Sequence, residues 1–203
     1  MTKLLIGTGN VWKLREIKSI LGAVSYELVS LADFADIETP DENGATYSDN
    51  AVLKAKSYAS QTGLLTLADD SGLEVEALSW APGVLSARYA GDHASDADRR
   101  SLLLSEVSKR ETQRRTARFV CVVAVATPTQ VINVSEGICD GEIIDAPRGS
   151  GGFGYDPLFV PDGHDLTFAE LPDGLKNQIS HRGRALSKAR EFLLSYIADH
   201  HED

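Results

Sequence analysis

What most constrains the fold of this chain is the order in which short apolar runs and helical spacings alternate. Residues 3–7, Lys-Leu-Leu-Ile-Gly, form a short run with the character of a buried strand, and Thr8-Gly9-Asn10 follow at once. Over residues 12–21, Leu14, Ile17 and Leu21 recur at helical spacing, with Asn10 placed as the N-cap. A loop rich in Asp, Glu, Pro and Gly over 33–44 leads to a second helix over 47–61. Its first residues, Thr46-Tyr47-Ser48-Asp49, resemble a capping box with Asp in the Glu position. Residues 64–68 predict a strand that ends on Asp69-Asp70-Ser71-Gly72. A third helix is expected over 95–108, with strands over 117–127, 131–137, 138–144 and 155–160 and a last helix over 184–198. Early βα alternation, a β meander and a closing helix predict an α/β or α+β fold on a mixed sheet, with a cleft at strand C-terminal ends. The 203 residues fit one domain, or one domain with a lobe grown out of it, and no linker or repeat marks a boundary.

Charge and composition limit the partners. With 20 Lys and Arg against 30 Asp and Glu, the formal net charge is −10. Such a surface repels phosphate backbones, so no nucleic-acid partner is expected. A phosphate ligand would need a local cluster of cations, oriented amides or a metal. At 42% hydrophobic residues the chain can bury a core, which argues against disorder. No stretch approaches the roughly 18–20 apolar residues of a membrane span. The first ten residues do not resemble a signal peptide. Cys121 and Cys139 lie in apolar segments without CxxC spacing, so two structural thiols and a cytoplasmic location are expected.

Four segments could carry chemistry. Thr8, Gly9, Asn10 and Lys13 join a strand to a helix N-terminus, whose unpaired N–H groups suit a phosphate; an ordinary Asn cap with a solvated Lys is the alternative. Glu42, Asp69 and Asp70 supply hard oxygen ligands of the kind Mg²⁺ prefers, and the alternative is a solvated turn. Asn50 and Lys54 are i, i+4 neighbours opposite the apolar Ala51/Ala55/Tyr58 side of their helix. The run 149–154 matches GxGxxG but is followed by a strand-like segment, so the dinucleotide fingerprint fails on context. It is better understood as a glycine loop presenting Phe153 for stacking and Asp156 for hydrogen bonding. Lys176, His181 and Arg182 offer donors suited to a carbonyl or a phosphate. The remaining histidines, His93, His164, His200 and His201, have no such company, and Asp96, Asp98, Arg99 and Arg100 look like a solvated helix face.

Together, TGNVWKLREI (8–17), ENGATYSDNAVLKA (42–55), LADDSGLEV (67–75), APGVLSARYAG (81–91), GGFGYDPLF (151–159) and SHRGRAL (180–186) resemble the inosine triphosphate pyrophosphatase family. Asp49 stands where that family usually has Glu. The resemblance implies a two-lobed α/β fold, with a long mixed twisted sheet, flanking helices and a central nucleotide cleft, as a single domain over 1–203. It also implies a homodimer and Mg²⁺-dependent hydrolysis of dITP, ITP and XTP to the monophosphate and diphosphate. By motif, Thr8, Gly9, Asn10, Lys13, Lys54 and Ser71 would hold the triphosphate, and Glu42 and Asp70 the metal. Asp70, with Asp69 able to share the role, would accept the proton of the attacking water. Phe153, Gly154, Tyr155, Asp156, Lys176, His181 and Arg182 would bind the base and the rest of the substrate. The alternatives are a pyrophosphatase for other modified nucleotides and a nucleotide-binding regulator without turnover.

Overall fold

Leu4, Leu5 and Ile6 are fully buried in the computed structural model, which describes residues 2–22, 26–110, 112 and 114–200. They form the inner part of strand β1 (Thr2–Ile6), which leads into helix α1 (Val11–Leu21) and strand β2 (Tyr26–Ser30). Asn10 caps α1: its Oδ1 accepts from the backbone N–H groups of Trp12 at 2.9 Å and Lys13 at 3.1 Å. Helix α2 (Tyr47–Thr62) begins with the expected capping box, in which Thr46 and Asp49 exchange side-chain to backbone bonds of 3.1 and 3.0 Å. The carboxylate of Asp49 is therefore occupied by the helix start. Gly63, at φ 72°, closes α2 in the left-handed region that glycine enters without strain.

Strand β3 (Leu65–Val75) does not stop at the acidic pair as the sequence suggested; it runs straight through Asp69 and Asp70. Its pairing with β1 is parallel, with Ile6 opposite Leu67, and β1 also pairs in parallel with β2. Helix α3 (Asp96–Ser108) is capped by a Ser95/Asp98 box. Strands β4 (Thr116–Ala126) and β5 (Val131–Ile143) follow. The break expected after residue 137 is absent. Burial alternates from Ser135 to Ile143 as in any half-exposed strand, and Gly137 fits that period. The strand expected over 155–160 shrinks to β6 (Phe159–Pro161), because Asp156-Pro157-Leu158 form a 3₁₀ turn. Proline has the φ for such a turn and no N–H to give a ladder. Helix α4 (Asp173–Ile179) has too few periodic positions to show in the sequence. Helix α5 (His181–His200) starts three residues before its expected beginning, after Ser180 breaks the run in an extended conformation. His201 lies outside the described residues.

The strand order is β2-β1-β3-β4-β5-β6; β5 and β6 are antiparallel, so the sheet is mixed, as expected. The chain divides into two units, one of Met1–Asp70, Cys121–Gly137 and Arg182–Asp203, the other of Ser71–Val120 and Ile138–His181. Three of the four divisions fall inside β3, β4 and β5, and the fourth at the start of α5. No linker composition could have announced them. The first unit packs Leu4, Ile6, Ile17, Leu67, Val123 and Leu186 into one core, and the second packs Leu73, Leu103, Phe119, Leu158, Phe159 and Phe168 into another. Truncating a fully buried leucine such as Leu67 or Leu103 to alanine costs about 2–5 kcal/mol. Among the described residues no helix is long and apolar enough to cross a membrane.

Candidate active site

The first unit gathers its charges where β1 ends and β3 continues. Gly7 N–H still donates to Leu67 O at 2.7 Å, after which Thr8-Gly9-Asn10 turn away into α1 while β3 carries on to Asp69 and Asp70. Alternation along β3 sends these two carboxylates to opposite faces of the strand. Asp69 is almost wholly buried, and its Oδ2 meets Lys13 Nζ at 3.1 Å and Arg182 Nε at 3.2 Å. The thiol of Cys121 also donates to that oxygen, at 3.8 Å. Asp69 Oδ1 is buried with no hydrogen-bond partner. Arg182 further donates to Glu16 Oε2 at 2.6 Å. Its guanidinium is thus committed to two carboxylates of the first unit, and it stands in the first turn of α5 rather than in a loop before it.

On the other face, Asp70 accepts from Asn50 Nδ2 at 3.1 Å and lies 3.4 Å from Lys54 Nζ, which also holds Glu42 at 2.7 Å. The Asn50/Lys54 side of α2 is therefore buried, not a polar face opposite a buried one. Asn50 Oδ1 accepts from Gly44 N–H at 2.8 Å, which ties the acidic loop to α2. A Cβ on Gly44 would come within 2.6 Å of that oxygen, so only glycine allows the approach.

The two aspartates are driven apart electrostatically. Burial alone would raise the Asp69 carboxyl, but Lys13, then Arg182 and Lys54, overcome it and hold the group well below the usual carboxylate range. For Asp70 burial dominates, only partly offset by Lys54 and Lys13, and its carboxyl is raised. Burial opposes the charge of Lys54, yet Asp70, Asp69 and Glu42 together raise its ammonium. Burial, followed by Asp69, pushes the Cys121 thiol up, so that it stays protonated as a donor. In this cluster four carboxylates (Glu16, Glu42, Asp69 and Asp70) meet three cations (Lys13, Lys54 and Arg182).

The second unit holds the glycine loop. Gly149, Gly152 and Gly154 have φ of 81°, 65° and 59°, which explains their spacing without a dinucleotide. Phe153 N–H donates to Asp156 Oδ2 at 2.9 Å, and Lys176 Nζ reaches the same oxygen at 2.6 Å, both side chains of the pair being buried. The Lys176 ammonium stands 5.3 Å from the half-buried Phe153 ring and 5.8 Å from that of Phe168. Tyr155 OH donates to Ser86 O at 3.0 Å, so this side chain belongs to the packing of the unit. His181 is buried and stacked on Phe119, with centroids 4.6 Å apart. Ser71 follows Asp70 in β3 and is half-buried.

Sequence reasoning missed Glu16, which follows Lys13 by one helical turn, and the place of Cys121 beside Asp69. It also misjudged α3: Asp96 and Arg100 are half-buried and bind the backbone of Gly154. Among the described residues no group of three or more His, Cys, Asp or Glu side chains is arranged to hold a metal ion by itself.

The Ham1 family model matches residues 4–192. A dITP/XTP pyrophosphatase of Desulforamulus reducens is 48% identical over 191 residues, spanning 94% of this chain and 95% of that protein. A dITP/XTP pyrophosphatase of Geobacter sulfurreducens is 48% identical over 193 residues, spanning 95% and 97%. Among solved structures, a HAM1 protein from Coxiella burnetii matches with a TM-score of 0.88 at 39% identity, covering 96% of this chain and 100% of that one. A nucleoside-triphosphatase, dITP/XTP pyrophosphatase, from Mycobacterium abscessus matches with a TM-score of 0.74 at 46% identity, covering 93% and 98%.

Proposed function

The chain belongs to the Ham1 family, and from that premise we propose that it is a nucleoside triphosphate diphosphatase. It hydrolyses dITP, ITP and XTP to the monophosphate and diphosphate, and so clears deaminated purines from the nucleotide pool. The observation that carries this reading is the placement of neighbouring carboxylates on β3, Asp69 held by Lys13 and Arg182 and Asp70 by Asn50 and Lys54. Two carboxylates in different surroundings can take different roles in one reaction.

In this reading Asp70 accepts the proton as water attacks the α-phosphorus, and the bond to the bridging oxygen breaks to release diphosphate. The turn Thr8, Gly9 and Asn10, with Lys13, Lys54 and Ser71, holds the triphosphate, the lysines meeting charge that grows on the leaving group. Arg182 acts on the substrate through Asp69, which it orients. Phe153, Gly154, Tyr155, Asp156, Lys176 and His181 form the base-binding segment.

The donor set suits Mg²⁺. Its oxygens are hard, and Asp69 Oδ1 is an orphaned buried acceptor. Mg²⁺ keeps several waters and takes few protein ligands plus substrate phosphates, so a set smaller than a closed cage is what it needs. Glu42 and Asp70 would hold it. When bound, it supplies neutralisation of phosphate charge. A cytoplasmic homodimer completes the proposal.

The test is a nucleotide panel with diphosphate and orthophosphate measured separately. ITP, dITP or XTP with Mg²⁺ should yield stoichiometric diphosphate, and EDTA should abolish turnover until Mg²⁺ is restored. Orthophosphate with IDP as product would overturn the α–β cleavage.

A further inference from the structure

A loop built on glycines has few side chains to fix it, and glycine loses more conformational freedom on ordering than any other residue. Something outside the loop must hold it. In the second unit helix α3 does so at Gly154, beside the Gly151 N–H to Ala169 O bond of 3.0 Å. The Ser95/Asp98 capping box satisfies the start of α3 and leaves Asp96 and Arg100, one turn apart on the same face, for other partners. Asp96 Oδ2 accepts from Gly154 N–H at 2.7 Å, and Arg100 donates to Gly154 O at 2.7 Å. Both polar backbone groups of one residue are thus clamped by charged side chains, the stronger class of hydrogen bond. The second oxygen of Asp96 is taken by Arg99, which also donates to Ala87 O at 2.9 Å and Ala94 O at 2.6 Å, so the acceptor is itself held. The burial of Asp96 works against its charge, yet the Gly154 amide, then Arg99, outweigh it and keep the carboxyl low.

Gly154 sits between Phe153 and Tyr155-Asp156 at φ 59°, with open space where a Cβ would stand. Its conformation is set by these backbone bonds and not by packing. Phe153 presents the ring beside Lys176, and Asp156 binds both the Phe153 amide and Lys176. A rotation at Gly154 would move the Phe153 amide away from Asp156 and its ring away from Lys176.

We propose that Asp96 and Arg100 are positioning residues that fix the backbone of Gly154 and thereby set the base selectivity of the Phe153–Asp156 loop. This rests on the reading of that loop as the base-binding segment. It makes α3, which touches no proposed reacting group, a determinant of specificity.

The experiment measures kcat and KM for ITP and ATP, with Mg²⁺, in the full-length protein and in Arg100→Ala, Asp96→Ala, Asp96→Asn and Asp156→Asn. Thermal unfolding is followed in parallel. Arg100→Ala and Asp96→Ala should raise KM for ITP about tenfold with kcat within about threefold, and lower the ITP to ATP ratio of kcat/KM by about tenfold. Asp96→Asn keeps an acceptor oxygen and should recover most of the ratio. Exchange of the Gly154 amide hydrogen should accelerate about tenfold or more in Asp96→Ala. Should Asp96→Ala fail to fold, Arg100→Ala decides, because it leaves the cap and Asp96 in place. Unchanged KM and ratio in Arg100→Ala, while Asp156→Asn collapses both, would overturn the clamp alone. If Asp156→Asn leaves them unchanged, the base-binding reading falls, and the proposal with it.

Discussion

The two polar clusters differ in what their charges hold besides one another. In the first unit, charged side chains pair with one another across long sequence separations: Lys13 and Arg182 converge on Asp69, and Lys54 bridges Glu42 and Asp70. Around the glycine loop of the second unit the charged side chains also bind backbone: Asp156, paired with Lys176, does so at Phe153, and Asp96, paired with Arg99, and Arg100 do so at Gly154. A network of buried ions shifts proton affinities and the local potential, whereas charge spent on backbone fixes shape. The first arrangement suits chemistry and the second suits recognition, and substitutions that separate stability, turnover and selectivity test that division.

The largest effect is expected at Asp69. Replacing it with alanine takes away the buried carboxylate that Lys13 and Arg182 share, while Arg182 keeps its pair with Glu16. Breaking a buried pair in this way costs about 3–5 kcal/mol, visible as a lower denaturation midpoint at unchanged slope. A midpoint within experimental error of the parent would mean that the ion network does not support the fold.

Asp70→Asn should preserve the fold, since an amide can still accept from Asn50, while kcat falls about 10²-fold through loss of the base. Turnover near that of the parent protein with unchanged Mg²⁺ dependence would remove Asp70 from the chemistry.

A smaller effect compares one lysine from each cluster. Lys13→Ala should raise KM by about tenfold for ITP and ATP alike, because a phosphate is common to both. Lys176→Ala should raise KM for ITP more than for ATP. The division between the units would not survive if both variants lowered kcat/KM equally across the two nucleotides.

The smallest effect is on alkaline stability. Burial, then Tyr196, pushes the Tyr26 phenol up to about 12, and its OH donates to Leu193 O at 3.4 Å. A pKa raised above the ordinary value of about 10 gives stability that is full below pH ~10 and is lost as pH rises toward about 12. Tyr26→Phe should flatten the fall in melting temperature across that window. An identical alkaline slope in both proteins would show that this phenol contributes nothing to it.

Most elements were legible because their signals are local. The Asn10 cap and the Thr46/Asp49 box each need only a few consecutive residues, and both form. Strand ends were less legible. Asp69 and Asp70 look like a turn in a linear chain, and only Lys13, Lys54 and Arg182, brought in from elsewhere, make a strand through them tolerable. The short β6 and helix α4 lacked the length that makes periodicity visible.

By itself the sequence determined the βα order, the caps, the residues able to carry chemistry and the family. Those properties follow from neighbours along the chain or from motifs that survive as strings. The tertiary structure decided which carboxylate is held ionised and which is raised, that Arg182 faces Glu16 and Asp69, and that α3 grips the glycine loop. A proton affinity depends on burial and on charges from distant segments, and a hydrogen bond between residues 96 and 154 leaves no trace in either segment read alone.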